Sequence, residues 1–272
     1  QYSAIFFFFF AGANNVINYG LGLESNTGDV FGLNSGSTDP TIVRDIRQPS
    51  ILIGTYTSTT NSVGYTYLNG VVSSTVTGGT ISGTRTSFEI GGNVLVGPSP
   101  SRVFKGTIAE VVYYNRGISA QELARTQSYL AIKYGIHLDP VAVPNYLASN
   151  GSTIWGSASN TAYTNTVMGI GRDDNSGLIQ TQTQSATGAD ILALGLGTIA
   201  SSNLLNTANF SADQSFLVVG NNGITSSITN TSDLPSNPGT AVPMRMRMAR
   251  VWKAQNTNGV GALTLQFNLT GA

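Results

Sequence analysis

Apolar residues in this chain come in short runs that glycine, asparagine or serine soon interrupts. That rhythm suits strands of a few residues and leaves little room for long helices. Its sharpest instance is Tyr67-Leu68-Asn69-Gly70-Val71. Asn-Gly between apolar and aromatic residues predicts a two-residue hairpin turn, because both central positions need a positive φ that Asn and Gly tolerate. Around it the first half of the chain reads as strands over 3–11, 19–24, 30–33, 51–56, 63–68, 71–77, 87–90 and 107–114, with Gly, Asn and Ser turns between them.

At 272 residues the chain has room for two cores, each in a domain of roughly 130 residues. Gly supplies 32 positions and only 10% of residues are charged, a mixture that fits strands and tight turns. Thirteen basic residues balance thirteen acidic ones. No overall field therefore draws in nucleic acid or an anionic membrane. Cysteine is absent, which excludes disulfides, thiol nucleophiles and cysteine-ligated zinc or iron–sulfur sites. The long apolar run Ala4–Ala11, with Phe6–Phe10 inside it, falls far short of the roughly 20 residues that span a bilayer. No basic segment precedes it as in a signal peptide, so the chain is expected to begin inside a strand as a mature or truncated polypeptide.

One helix is expected. In Ile118-Ser119-Ala120-Gln121-Glu122-Leu123 the pair Ser119 and Glu122 has capping-box spacing, and Ile118 and Leu123 are placed as a hydrophobic staple. The helix should run to about Tyr134 and end on Gly135. Leu123, Gln127, Leu130 and Tyr134 recur at helical spacing beside Ala124 and Ala131, so that face should dock on a sheet and leave Arg125 and Lys133 solvated. The prolines of Asp139-Pro140-Val141-Ala142-Val143-Pro144 mark a linker over 139–145, between a first domain at 1–138 and a second at 146–272. Strands of the second domain are expected over 167–171, 190–196, 216–220, 244–253 and 262–269, with a polar loop over 223–240. The last strand stands so close to Ala272 that this domain is expected to be truncated at its C-terminus. Met244-Arg245-Met246-Arg247-Met248 alternates, methionines inward and arginines outward, and loses its parity near Ala249, where a bulge or strand end is expected.

The stretch Phe104-Lys105-Gly106-Thr107-Ile108-Ala109-Glu110-Val111-Val112-Tyr113-Tyr114-Asn115-Arg116, followed by Ile118–Glu122 and Tyr129–Ile136, closely resembles the end of laminin-G-like, concanavalin A-like domains in exported Bacteroidetes proteins. The Asn69-Gly70 hairpin fits that family, whereas the Phe6–Phe10 run departs from its alternating aliphatic pattern. The second half carries Tyr146–Gly151, Ile154-Trp155, Gly169–Asp174 and Arg250–Lys253. Through them it resembles a domain of unknown function that follows such domains in large surface proteins of gliding and environmental Bacteroidetes. The resemblance implies an all-β chain: a concanavalin A-like jelly-roll sandwich with one C-terminal helix, then a second β-rich, sandwich-like domain. It also implies a secreted or cell-surface location, as type 9 secretion cargo that meets the secretion machinery through a C-terminal domain outside this chain.

Chemistry-bearing residues are sparse. Glycoside hydrolysis needs two carboxyl groups flanking the scissile bond. The family's hydrolytic branches carry them as Glu-x-Asp-x-x-Glu on one strand, and this sequence has no such segment. Glu110 and Glu89 stand apart from other acids on their expected strands and read as structural. His137 is the sole histidine, which excludes a two-histidine metal site and makes any Ser-His-Asp arrangement depend on a residue next to the linker. The glycine clusters lack a P-loop lysine, so phosphate binding is not expected. Asp173, Asp174 and Asn175, ahead of Gly177, are the calcium candidates, a solvated hairpin turn being the alternative. Asp29 and Asp39 are weaker ones. Tyr56, Tyr65, Trp155 and Tyr163 lie in or beside Asn/Ser/Thr-rich stretches and are the candidates for stacking on a sugar, with core packing as the alternative. Arg245, Arg247 and Trp252 read as a wet sheet face in preference to a nucleic-acid surface. The expected function is non-catalytic binding or adhesion, with a glycan or extracellular matrix polymer as partner; a structural spacer and a glycoside hydrolase or lyase are the alternatives.

Overall fold

The computed structural model describes residues 2–3, 9–11, 17–23, 30–34, 41–42, 48–56, 62–79, 87–90, 106–114, 116–232, 234 and 246–269. By compactness the chain divides into Gln1–Gln127 with Val141–Val143, and Ser128–Pro140 with Pro144–Ala272.

The first unit contains the strands Tyr2–Ser3 (β1), Phe9–Ala11 (β2), Ile17–Leu23 (β3), Val30–Asn34 (β4), Thr41–Ile42 (β5), Leu52–Tyr56 (β6), Ser62–Leu68 (β7), Val71–Gly79 (β8), Ser87–Glu89 (β9) and Gly106–Thr107 (β10). They form a five-stranded sheet in the order β5-β4-β3-β2-β9 and a three-stranded sheet β6-β7-β8, while β1 pairs with β10. Strand β3 lies against β6, β4 against β7 and β5 against β8, so the two sheets face each other as a sandwich. The Asn-Gly turn forms as expected: Asn69 and Gly70 have φ of 47° and 91° and join β7 to β8. The Asn69 side chain also accepts a hydrogen bond from the Ile51 N–H at 2.8 Å, which ties the turn to the start of β6. The strand expected over 107–114 ends at Thr107 instead, and 108–114 run on without ladder pairing. Of the Phe6–Phe10 run, positions 6–8 lie outside the described residues.

The helix α1 spans Ala120–Tyr134. Its capping box is complete: the Glu122 N–H donates to Ser119 Oγ at 3.2 Å, and Ser119 N–H donates back to the Glu122 carboxylate at 2.8 Å. Arg116, bonded to the same carboxylate, is the chief cause that holds it down to about 2, with the Ser119 bonds adding to it. At the other end Gly135 has φ +63° and Ile136 N–H donates to Ala131 O at 3.0 Å, the left-handed cap expected of that glycine. Leu130, Ala131 and Ile132 are buried. Arg125 and Lys133 are half-buried, contrary to the expectation of solvated heads. The reason at Lys133 is local: its ammonium donates to the Tyr129 hydroxyl at 2.6 Å and lies 5.0 and 5.6 Å from the ring centres of Tyr129 and Tyr134.

In the second unit the strands are Asn145–Leu147 (β11), Thr153–Gly156 (β12), Asn165–Asp173 (β13), Leu178–Gln180 (β14), Gln182–Gln184 (β15), Leu192–Leu196 (β16), Ser215–Asn221 (β17), Ile228–Asn230 (β18), Arg247–Met248 (β19), Trp252–Thr257 (β20) and Leu263–Phe267 (β21). A four-stranded sheet β14-β13-β17-β20 faces a three-stranded sheet β15-β16-β21. Alternate residues from each meet in the middle: Met168, Ile170, Leu217 and Val219 from one, Leu192, Leu194 and Leu196 from the other, with Phe210 and Val260 closing the core. On the outer face of the four-stranded sheet, Gly169 makes room for α1. A Cβ there would lie 3.0 Å from Ile132 Cδ1 and 2.8 Å from Leu217 O. The C-terminal part of α1 and the residues just after it are tied within this unit, since Leu138 N–H donates to the buried Tyr146 hydroxyl and Leu147 N–H to Ser128 Oγ, both at 2.9 Å.

The expected strand over 244–253 is two short pieces, and it breaks at Ala249, where the alternation fails. Met246 is exposed and not inward, because β19 pairs with β18 in a two-stranded edge piece that belongs to neither large sheet. Met244 and Arg245 lie outside the described residues, and the polar loop expected over 223–240 contains β18. No helix among the described residues is long and apolar enough to cross a membrane.

Candidate functional site

The three-stranded sheet of the first unit sorts its residues by parity. Leu52, Thr66 and Leu68 are buried. Tyr65 and Tyr67 lie on the opposite face of β7, because successive strand side chains alternate. Their ring centres are 6.3 Å apart at an interplanar angle of 39°, and both side chains keep part of their surface in solvent. Strand β6 pairs Ile53 with Tyr67 and Thr55 with Tyr65. The Thr55 side chain hydrogen-bonds Tyr67, whose phenol is pushed above its ordinary range chiefly by burial. Two tilted rings beside a hydroxyl place apolar ring surface next to polar atoms at its edge. Tyr65 was among the sequence candidates. Tyr67 was noticed only as part of the hairpin, although a spacing of two along a strand already puts both on one face.

The other stacking candidates are placed differently. Trp155, on β12, has no exposed surface, and a Cβ at Gly220 would come 2.9 Å from its indole Cζ2. Its ring is covered by protein and offers no face to a sugar. Tyr163 is half-buried, and its carbonyl oxygen would lie 2.1 Å from a Cβ at Gly220. Tyr56 belongs to β6, and its side chain lies outside the described residues.

At the calcium candidates the hairpin joining β13 to β14 turns its acids to separate tasks. Asp173 is 2% exposed and accepts from Ser149 N–H at 2.7 Å, Ser149 Oγ at 2.6 Å and Gln214 Nε2 at 2.8 Å. Asp174 is exposed and takes two 2.7 Å hydrogen bonds from Arg172, which hold its carboxyl below the usual range. Asn175 is exposed at the tip of the turn. The two carboxylates therefore do not converge, and a cation would have to displace Ser149, Gln214 or Arg172 to reach them. Among the described residues no group of three or more acidic or histidine side chains is disposed to hold a metal. Asp29 and Asp39 lie outside the described residues.

A second buried carboxylate escaped sequence reasoning altogether. Asp190, just before β16, accepts from Trp252 Nε1 at 3.0 Å, Asn221 Nδ2 at 2.6 Å and its neighbour Ile191 N–H at 2.7 Å, with Arg250 at 3.4 Å. Its partners sit on β17, on β20 and just before β20, across the core from β16, so it clasps the two sheets together. Both oxygens of its side chain are taken up by hydrogen bonds to the fold. Its donors are remote in sequence, which is why no local motif announced it.

His137 is similarly committed. Its Nδ1 accepts from Val167 N–H at 3.2 Å, and burial lowers its pKa. Glu110 is half-buried, and the side chain of Glu89 lies outside the described residues.

The fold is that of a chain with two β-rich units, each built of facing antiparallel sheets. Residues 1–124 match the concanavalin A-like lectin/glucanases superfamily, and residues 122–272 match the domain of unknown function DUF8202. The second match covers more than half of the chain, which belongs to that family. No curated protein and no solved structure matches it.

Proposed function

We propose that this chain is a non-catalytic carbohydrate-binding or adhesion segment of a secreted bacterial surface protein. Its ligand is a glycan or matrix polymer, and its first domain does the binding. The observation that carries the reading is the Tyr65–Tyr67 pair on the face of β7 opposite the buried Leu52 and Leu68, within a domain similar to concanavalin A-like lectins. Transport as type 9 secretion cargo of a gliding Bacteroidetes cell rests on the motif resemblance alone.

A glycan array followed by calorimetry on the best hit tests the reading. Tyr65→Ala and Tyr67→Ala should each weaken binding by about tenfold, since a ring stacked on a ligand contributes roughly 0.5–1.5 kcal/mol beyond its area. EDTA should leave affinity unchanged if the Asp173–Asn175 turn is purely structural, and should abolish it if calcium belongs to the site. A chain that binds no glycan with or without calcium is a spacer. Polysaccharide turnover abolished by Glu110→Gln would make it an enzyme.

A further inference from the structure

The sequence contains four Asn-Gly pairs, at Asn69, Asn150, Asn222 and Asn258, and the structure treats them unequally. Asn69 is held by the Ile51 N–H, and Gly70 is buried. Asn222 accepts from Ile224 N–H and Val251 N–H and donates to Ala249 O, so its amide is clamped on both sides. At Asn150 the following Gly151 N–H is occupied, donating to Ala148 O at 2.9 Å. Asn258 and Gly259 are both exposed, with φ of 56° and 68°, and a Cβ at Gly259 would meet nothing within 4 Å. The tie at this pair is Asn258 Nδ2 donating to Gln214 O at 3.1 Å.

We infer that Asn258-Gly259 is a site of spontaneous backbone-assisted deamidation in the folded protein. The Gly259 nitrogen attacks Asn258 Cγ, the C–N bond of the side-chain amide breaks, and the proton from Gly259 leaves with ammonia, closing a five-membered succinimide. Water then opens the ring at either carbonyl to give aspartate or isoaspartate, with no change of oxidation state. Glycine favours the step because no side chain shields its nitrogen and its backbone adjusts freely.

The consequence is local and directional. Deamidation removes the donor to Gln214, whose own amide holds the buried Asp173. The isoaspartyl product also lengthens the backbone two positions before Val260, which is 3% exposed and plugs the core between the sheets. Aged protein should therefore become both more acidic and less stable.

The test is to incubate the whole chain at mildly alkaline pH and follow each Asn-Gly pair by peptide mapping that separates aspartate from isoaspartate. Position 258 should convert at least severalfold faster than 69, 150 and 222, and the four rates should draw together in denaturant. Equal rates in the folded state, or a faster 69 or 222, overturn the inference. Asn258→Gln should keep its melting temperature through the same ageing. Asn258→Asp carries the charge without the longer backbone and should lose less stability than aged wild type. If Asn258→Gln ages in parallel with wild type, the loss of stability arises elsewhere and the assigned consequence fails.

Discussion

Gly135 illustrates how much a single position can carry. Its φ of +63° disfavours any other residue, and an added Cβ would stand 2.1 Å from Gln184 O. Gly135 O accepts from Ala186 N–H at 2.9 Å, so the backbone there has little freedom to retreat. Gly135→Ala should therefore cost well over the ~1 kcal/mol of left-handed strain alone, read as a drop in denaturation midpoint. His137 offers a test in pH. Burial, only partly offset by Asp139, puts its folded pKa below the ordinary 6.5. Protonation is thus harder in the folded chain than in the unfolded one. Its contribution to stability is complete above pH 6.5 and is lost as the pH falls from there through the folded pKa. A proton on Nδ1 would also face the Val167 N–H donor-to-donor. Urea midpoints measured from pH 8 down to about 5 should decline, and His137→Gln should flatten that decline.

Among the described elements, β21 has surroundings that conflict with its sequence. Its register opposite β16 pairs Leu263, Leu265 and Phe267 with Leu196, Leu194 and Leu192, so these side chains share the core-facing side. Phe267 meets Trp252 edge-on at 5.4 Å, yet Leu265 remains 54% exposed. Residues 262–269 carry no charge, and among the described strands β21 is an edge of its sheet. An uncharged edge with exposed leucines invites pairing between chains. Leu265→Lys should lower light scattering and concentration-dependent sedimentation of the isolated chain while changing stability by less than about 1 kcal/mol. Helix α1 shows the opposite case, where local signals and tertiary demands agree: the box at Ser119 starts it, Gly135 stops it, and Leu130 and Ile132 bury its inner side.

For the whole molecule, the division of the chain by compactness passes through α1 and again through the proline-rich stretch, where Val141–Val143 group with the first unit and Pro140 and Pro144 with the second. A fragment covering 116–272 should melt cooperatively with near-ultraviolet dichroism. One covering 139–272 should not, because it lacks Ile132 over Gly169 and the Ser128 hydroxyl that takes the Leu147 N–H. Equal melting of both fragments would place the boundary at the prolines. The sequence by itself determined what depends on neighbours along the chain: the Asn69-Gly70 turn, both ends of α1, the strand break at Ala249, and the all-β class set by short alternating runs. Backbone preferences act over a few residues, so such features are written locally. The tertiary structure alone decided which side chains are covered and by what. Trp155 became core while Tyr65 and Tyr67 kept part of their surface in solvent, and Asp173 and Asp190 accept from Ser149, Gln214, Asn221 and Trp252. Burial and hydrogen-bond partners are set where distant strands meet, and no window of the sequence contains both sides of such a contact.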